Sequence, residues 1–132
     1  MGALSYGLKK TVPGSAEEVE AKVAEALSAE GFGVLTRIDV AATFKAKLGA
    51  DFRPYVIMGA CNPALAHRAL TEEDDIGLLL PCNVVVYAGD TVGESVVSIL
   101  DPIKQLSVAG RDDLGDLAAE VRARMEKVMD RL

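Results

Sequence analysis

The stretch that decides the fold is "YVIMGACNPALAHRAL" (55–70), because it contains a strand, a helix start and a helix without a break. Its first seven residues are apolar at odd and even positions alike, which is typical of a strand buried on both faces. Asn62 can then cap a helix, and Pro63 can occupy the first helical position, where its missing amide hydrogen costs nothing. We expect this helix to turn four side chains toward the core: Leu65, Ala66, Ala69 and Leu70.

Upstream of this stretch, the chain alternates between strand and helix patterns. Residues 4–12 predict a first strand, and "SAEE", which begins at Ser15, is a capping box that starts a helix. A second strand is predicted over 32–38. Asp39 is then expected to cap a short helix before the chain returns to the stretch at 55–70.

Downstream, "GLLLPCNVVVYAGDTVGESVVSILD" predicts two strands around a turn near 88–90, and an apolar stripe predicts an amphipathic helix over about 112–132. The resulting order is β-α-β-α-β-α-β-β-α. It predicts an α+β fold with a single mixed or antiparallel sheet of about five strands covered by helices. We expect residues 1–132 to form one domain.

Composition and charge narrow the classes of partner that the protein could bind. The formal charge is −6, from 14 Lys and Arg against 20 Asp and Glu, whereas nucleic-acid binding draws its affinity from clustered cations. No stretch approaches the roughly 20 apolar residues that span a bilayer, and the amino terminus lacks the pattern of a signal peptide. We therefore expect a cytoplasmic protein that binds neither nucleic acid nor membrane.

The two cysteines, Cys61 and Cys82, are each followed by asparagine and are predicted at the end of one strand and the start of another. A thiol beside a helix N-terminus has a lowered pKa, and two such thiols could form a reversible disulfide or hold a soft metal ion. Their spacing of 21 residues matches neither a C-x-x-C redox motif nor a four-ligand zinc site. Free cysteines also pack as small hydrophobes, so both interpretations stay open.

A ligand site could form if other polar residues joined the cysteines. Asn83 is the candidate that a structural role explains least, because asparagine is disfavoured within strands. His67 is predicted to be exposed and too far around the helix to pair with Cys61. No catalytic constellation or cofactor motif is recognisable, so whether the protein is an enzyme stays open. The candidate ligand-binding residues are Asp39, Arg53, Cys61, Asn62, Cys82 and Asn83.

Four segments together resemble a known family: "GFGVLTRIDV", "LGADFRPYVIMGACNPALAHRAL", "IGLLLPCNVVVY" and "ILDP". They are similar to the domain of unknown function 302, a family of small prokaryotic proteins, over roughly residues 31–102. The resemblance implies an α+β domain that forms homodimers. It implies no established activity and no catalytic residues.

Three functions are compatible with the sequence. The first is a small homodimeric binding module with a small-ligand pocket near the two Cys-Asn motifs. The second is a thiol-based redox, sulfur-handling or metal-handling protein that uses Cys61 and Cys82. The third is an accessory domain that recruits a protein partner.

Overall fold

A computed structural model describes residues 2–132, except for the side-chain environments of residues 2, 3 and 112. The elements follow in the order β1 (Gly2–Leu4), β2 (Gly7–Pro13), α1 (Ala16–Ala29), β3 (Gly33–Asp39), α2 (Val40–Leu48), β4 (Tyr55–Cys61), α3 (Pro63–Glu72), β5 (Cys82–Ala88), β6 (Glu94–Leu100), α4 (Pro102–Ser107) and α5 (Gly115–Asp130). Short 3-10 turns occupy Asp74–Leu79 and Asp112–Leu114. No helix in the described part of the chain is long and apolar enough to cross a membrane.

The strands form one antiparallel sheet in the order β1-β2-β6-β5-β4-β3. The predicted fold class, an α+β domain with a single sheet, is confirmed. The first strand differs from its prediction over 4–12, because a turn after Leu4 folds it into the hairpin of β1 and β2. The sheet therefore has a short sixth strand at one edge.

The helix starts lie where the capping residues predict them. Ser15 and Glu18 form the capping box of α1, and the side chain of Asp39 accepts from the amide of Ala42 at 2.8 Å at the start of α2. The amphipathic helix expected over 112–132 is α5, Gly115–Asp130. One helix was not predicted: Asp101 caps the short α4 by accepting from the amide of Ile103 at 2.9 Å.

Two apolar clusters stabilise the fold. The larger lies between the sheet and helices α1 and α5, and its fully buried members include Val23, Leu27 and Met125. The smaller joins α3, α4, the 3-10 turns and the start of α5. Val121 of α5 packs against both clusters, so α5 connects the two parts of the core.

One face of the sheet is less covered than the sequence predicts. On β4, Val56, Met58 and Ala60 are buried against the helices, but the alternating residues Tyr55 and Ile57 are only half buried. The prediction that β4 is buried on both faces is therefore wrong for its second face. We call that second face the open face; Tyr55, Ile57, Asn83, Val85, Tyr87 and Ser98 share it through the strand register.

Residues 33–55, which we call the β3–α2 segment, contain no buried residue. The segment includes all of strand β3 and all of helix α2, and a bulge between Val34 and Thr36 interrupts the pairing of β3 with β4. Arg37 ties the segment to α1 by an ion pair with Glu20. Strand β3 and helix α2 thus form a continuous stretch of regular structure, residues 33–48, that buries no side chain.

Candidate functional site

The two cysteines meet at one corner of the sheet. Strand register places Cys82 opposite Ala60, so Cys61 lies one residue beyond this pair on the adjacent strand, as the predicted strand ends allowed. Both cysteines are free. Cys82 shares the buried face with Val84, whereas Cys61 is half buried at the strand end. The sheet therefore brings the two residues together without a bond between them.

A cavity of about 50 Å³ lies beside them, at the seam between the two apolar clusters. Cys61, Asn62 and Cys82 contribute to its lining, together with aliphatic side chains such as Leu65 and Leu117. Engineered protein cavities that bind benzene have a volume of about 150 Å³. This seam cavity holds a few water molecules at most, so it is too small for an ordinary metabolite.

Burial makes both thiols weak nucleophiles. It raises the pKa of Cys61, and it raises the pKa of Cys82 to about 12, with a smaller contribution from the negative charge of Asp101. The Cys82 thiol also donates to the carbonyl oxygen of Leu100, with 3.7 Å between sulfur and oxygen. The direction is opposite to the lowering predicted from the sequence, because desolvation disfavours the thiolate.

The pair also has few partners for metal chemistry. Among the described residues, no three His, Cys, Asp or Glu side chains come together as a set of metal ligands. His67 is exposed on α3, as predicted, and its backbone carbonyl accepts from Thr71. Cys61 and Cys82 supply two soft ligands only, whereas structural zinc sites use four.

The other candidate residues are divided among three places. Asn62 is buried and caps α3, because its side chain accepts from the amide of Leu65 at 3.2 Å. Asn83 is exposed and pairs with Gly59 on the open face. Asp39 pairs in register with Val56, near the other end of β4. Five residues of strand separate Val56 from Cys61, which corresponds to about 17 Å.

Arg53 also lies away from the cysteines. Its guanidinium donates to the carbonyl oxygen of Ala88 at 3.1 Å and contacts Asp90 at 3.4 Å, at the turn between β5 and β6. Asp39 and Arg53 therefore do not join the Cys-Asn motifs around one cleft. Arg53 is explained by its turn contacts, and Asp39 by the cap of α2.

A larger groove, which we call the tyrosine groove, occupies the open face. Its volume is about 340 Å³, and all three tyrosines of the chain line it. The rings of Tyr55 and Tyr87 stack with centroids 5.2 Å apart and planes 6° apart. The residues that give the groove its chemistry are Tyr6, Lys9, Tyr55, Asn83, Tyr87 and Ser98.

The environment of Tyr55 shows that the groove is partly desolvated. Burial is the main cause that raises the pKa of Tyr55, and the neighbouring Tyr87 and Tyr6 raise it further. The phenol of Tyr55 is therefore a protonated hydrogen-bond donor at neutral pH. Tyr6, in the turn between β1 and β2, keeps 62% of its surface exposed at the mouth of the groove.

Gly59, the strand partner of Asn83, leaves room for the side chain of Pro81 to pack against β4. A Cβ added at Gly59 would lie 2.6 Å from Cγ of Pro81 and would also collide with the hydroxyl oxygen of Thr36. Only glycine therefore allows Pro81 to pack across the strand at this point. The glycine in "GAC" and the proline in "LPC" are thus explained by one contact between the two motifs.

Of the predicted site residues, only Asn83 lines the tyrosine groove. Sequence reasoning missed the other polar and aromatic residues of the groove, which are Tyr6, Lys9, Tyr55, Tyr87 and Ser98. A signal was present, since Tyr55 and Tyr87 occupy alternating positions of strands that are apolar on both faces. The groove also depends on the register between β4 and β5, which periodicity does not provide.

These features define a small α+β domain with one antiparallel sheet, helices packed on one face and a groove on the other. The family model described as "Domain of unknown function DUF302" matches residues 8–132, and the chain belongs to this family. A crystal structure of an uncharacterized conserved DUF302 protein from Bacillus stearothermophilus is similar, with a TM-score of 0.88 and 31% sequence identity. That match covers 97% of this chain and 98% of the other. A search of curated proteins found no match.

Proposed function

We propose that this domain is a homodimeric binding module, in which the β3–α2 segment docks with a second copy and the tyrosine groove receives a small ligand. The observation that carries the proposal is the presence of two unusual features on the exposed surface of the described residues. One is a long segment without buried residues, and the other is a concave groove lined by aromatic side chains.

The β3–α2 segment lacks the burial that normally stabilises regular structure. Isolated helices shorter than about 12 residues are marginal in water, so a short helix depends on tertiary packing. Helix α2 has nine residues and none is buried. The segment also exposes large apolar side chains: Val34 at 39%, Leu35 at 67%, Ile38 at 50%, Leu48 at 74% and Phe52 at 49%.

A second copy of the chain suits this surface in size and symmetry. Stable interfaces use about 20–30 residues on each side, and the segment has 23. A two-fold dimer would cover the same apolar side chains on both protomers at once. Strand β3 lies at the sheet edge and pairs only with β4, so its other side is free for such a contact. The resemblance to the family also implies homodimers.

We expect Leu35→Glu to convert the dimer into a folded monomer, because a charge at this exposed apolar position would have to be buried without a partner. Sedimentation equilibrium should show an increase in the dimer dissociation constant of at least about 100-fold, which corresponds to about 3 kcal/mol. The control is Val92→Glu, because Val92 is fully exposed in the turn between β5 and β6. A wild-type protein that is monomeric at high concentration would contradict the dimer.

The tyrosine groove has the properties of a ligand site. Small-molecule sites are concave, about 300–1,000 Å³ in volume and mostly apolar, with a few polar groups that orient the ligand. The groove, at about 340 Å³, lies at the lower end of that range. Val85 and Leu100 provide aliphatic surface, while Asn83 and Ser98 provide polar groups. A molecule of one or two rings would fit between the tyrosines.

A neutral aromatic probe, 2-naphthamide, tests the groove as a binding site. We expect it to shift the backbone amide resonances of Asn83, Val85 and Ser98 in a titration. Tyr87→Ala should weaken this binding about tenfold, since aromatic pairs contribute about 0.5–1.5 kcal/mol beyond area burial. Val92→Ala is the control and should bind like the wild type. Amide shifts confined to other parts of the chain would exclude the groove.

A further inference from the structure

We infer that the tyrosine groove selects small planar aromatic carboxylates, an inference that rests on the proposed binding function. The geometry that points to this ligand class is a single lysine among three aromatic rings.

Lys9 gives the groove a positive charge. The chain carries a net charge of −6, yet among the described residues the one charged side chain that lines the groove is the cation of Lys9. Within the described residues Lys9 makes no ion pair, whereas the next residue, Lys10, donates to the carbonyl oxygen of Met129 at 3.0 Å on the other face. An anionic ligand would give Lys9 a partner.

The remaining polar groups of the groove favour a carboxylate over a neutral ligand. Asn83 and Ser98 carry N–H and O–H donors, and the three tyrosines carry phenolic O–H donors. Ser98 on β6 pairs in register with Lys9 on β2, so the two residues are neighbours on the open face. One lysine matches one negative charge, whereas phosphate sites commonly add arginines or a helix N-terminus.

The aromatic residues favour a flat ligand body. The stacked rings of Tyr55 and Tyr87 form a rigid pair, and Tyr6 is largely exposed at the mouth of the groove. Aromatic rings prefer offset-stacked or edge-to-face contacts with other rings. A planar aromatic ligand would make such contacts with the Tyr55–Tyr87 pair and would cover the exposed ring of Tyr6.

The test compares two probes that share a ring system but differ in charge, 2-naphthoate and 2-naphthamide, at neutral pH. We expect wild-type protein to bind 2-naphthoate about tenfold more tightly, as measured by calorimetry. Lys9→Met keeps the aliphatic stem and removes the charge, so it should abolish the preference while leaving the affinity for 2-naphthamide within twofold. Lys22→Met on α1 is the control, because Lys22 is exposed outside the groove.

The outcomes separate this inference from the proposed function. Equal affinities for both probes in the wild type, with resonance shifts in the groove, would overturn the selectivity and leave the groove a binding site. A preference for 2-naphthoate that survives Lys9→Met would also overturn it. If neither probe shifts the groove resonances, both the selectivity and the ligand-binding part of the proposed function fail, while the dimer is tested separately by Leu35→Glu.

Discussion

Cys82 in the native protein at about pH 8 is expected to react with an aromatic disulfide reagent more than about 10³-fold more slowly than an unhindered thiol. Only the thiolate attacks, and an ordinary cysteine with a pKa of about 8.5 is about one-quarter thiolate at that pH. Burial raises the pKa of Cys82 to about 12, which leaves about one molecule in 10⁴ as thiolate. Poor access should slow the reaction further, since only 6% of the residue is exposed.

Single-cysteine variants make this measurement specific. Cys61→Ser leaves Cys82 as the only thiol, and Cys82→Ser leaves the half-buried Cys61. Unfolding in denaturant should restore the ordinary rate for both, which confirms that the protein and not the reagent sets the difference. A rate for native Cys82 within tenfold of that of free glutathione would instead favour the thiol-based function.

The same thiol should make stability depend on pH in the alkaline range. A group whose pKa is higher in the folded state holds its proton more tightly there, so its stabilisation is complete below the unfolded pKa of about 8.5. Above that pH, and up to about pH 12, the free energy of unfolding should fall by about 1.4 kcal/mol per pH unit. Cys82→Ala should remove this slope while leaving other alkaline titrations in place.

Leu27→Ala is expected to lower the free energy of unfolding by about 2–5 kcal/mol, because a large buried side chain is replaced by a cavity. Leu27 lies near the end of α1 with 0% of its surface exposed, within the larger apolar cluster. Surrounding groups include strands and α5, which cannot all move to fill the space. Urea unfolding followed by circular dichroism measures the change.

The matched control for this substitution is Leu78→Ala. Leu78 lies in a 3-10 turn with 87% of its surface exposed, so truncating its side chain removes little buried apolar area. We expect a change within about 0.5 kcal/mol. Equal losses for the two variants would contradict the assignment of the core to the space between the sheet and helices α1 and α5.

Local chemistry made the helix starts predictable. Ser15, Asp39 and Asn62 each use a side-chain oxygen to accept from an amide one turn ahead, and this interaction depends only on residues close in sequence. Strand β4 was likewise predictable from its apolar run. Helix α4 was missed because it is six residues long and its Asp-Pro start also suits a turn.

The site was less predictable, because a sheet face is built from residues far apart in sequence. Asn83 and Lys9 come to the same groove through pairings of β5 with β6 and of β6 with β2. Arg53 lies two residues before Tyr55, and Asp39 pairs with the neighbouring Val56, yet both make cap or turn contacts instead of lining the groove. A shift of one residue in any pairing would have moved these side chains to the other face.

By itself, the sequence determined the α+β class, the positions of three helix caps and the family resemblance, whereas strand register decided that the two Cys-Asn motifs lie on paired strands. The tertiary structure alone decided that Cys82 is buried with a raised pKa, that Asn83 faces a groove, and that the β3–α2 segment buries nothing. The reason is physical: caps and periodicity are local interactions, whereas burial, pKa and the faces of a sheet depend on strand register and on which elements pack together.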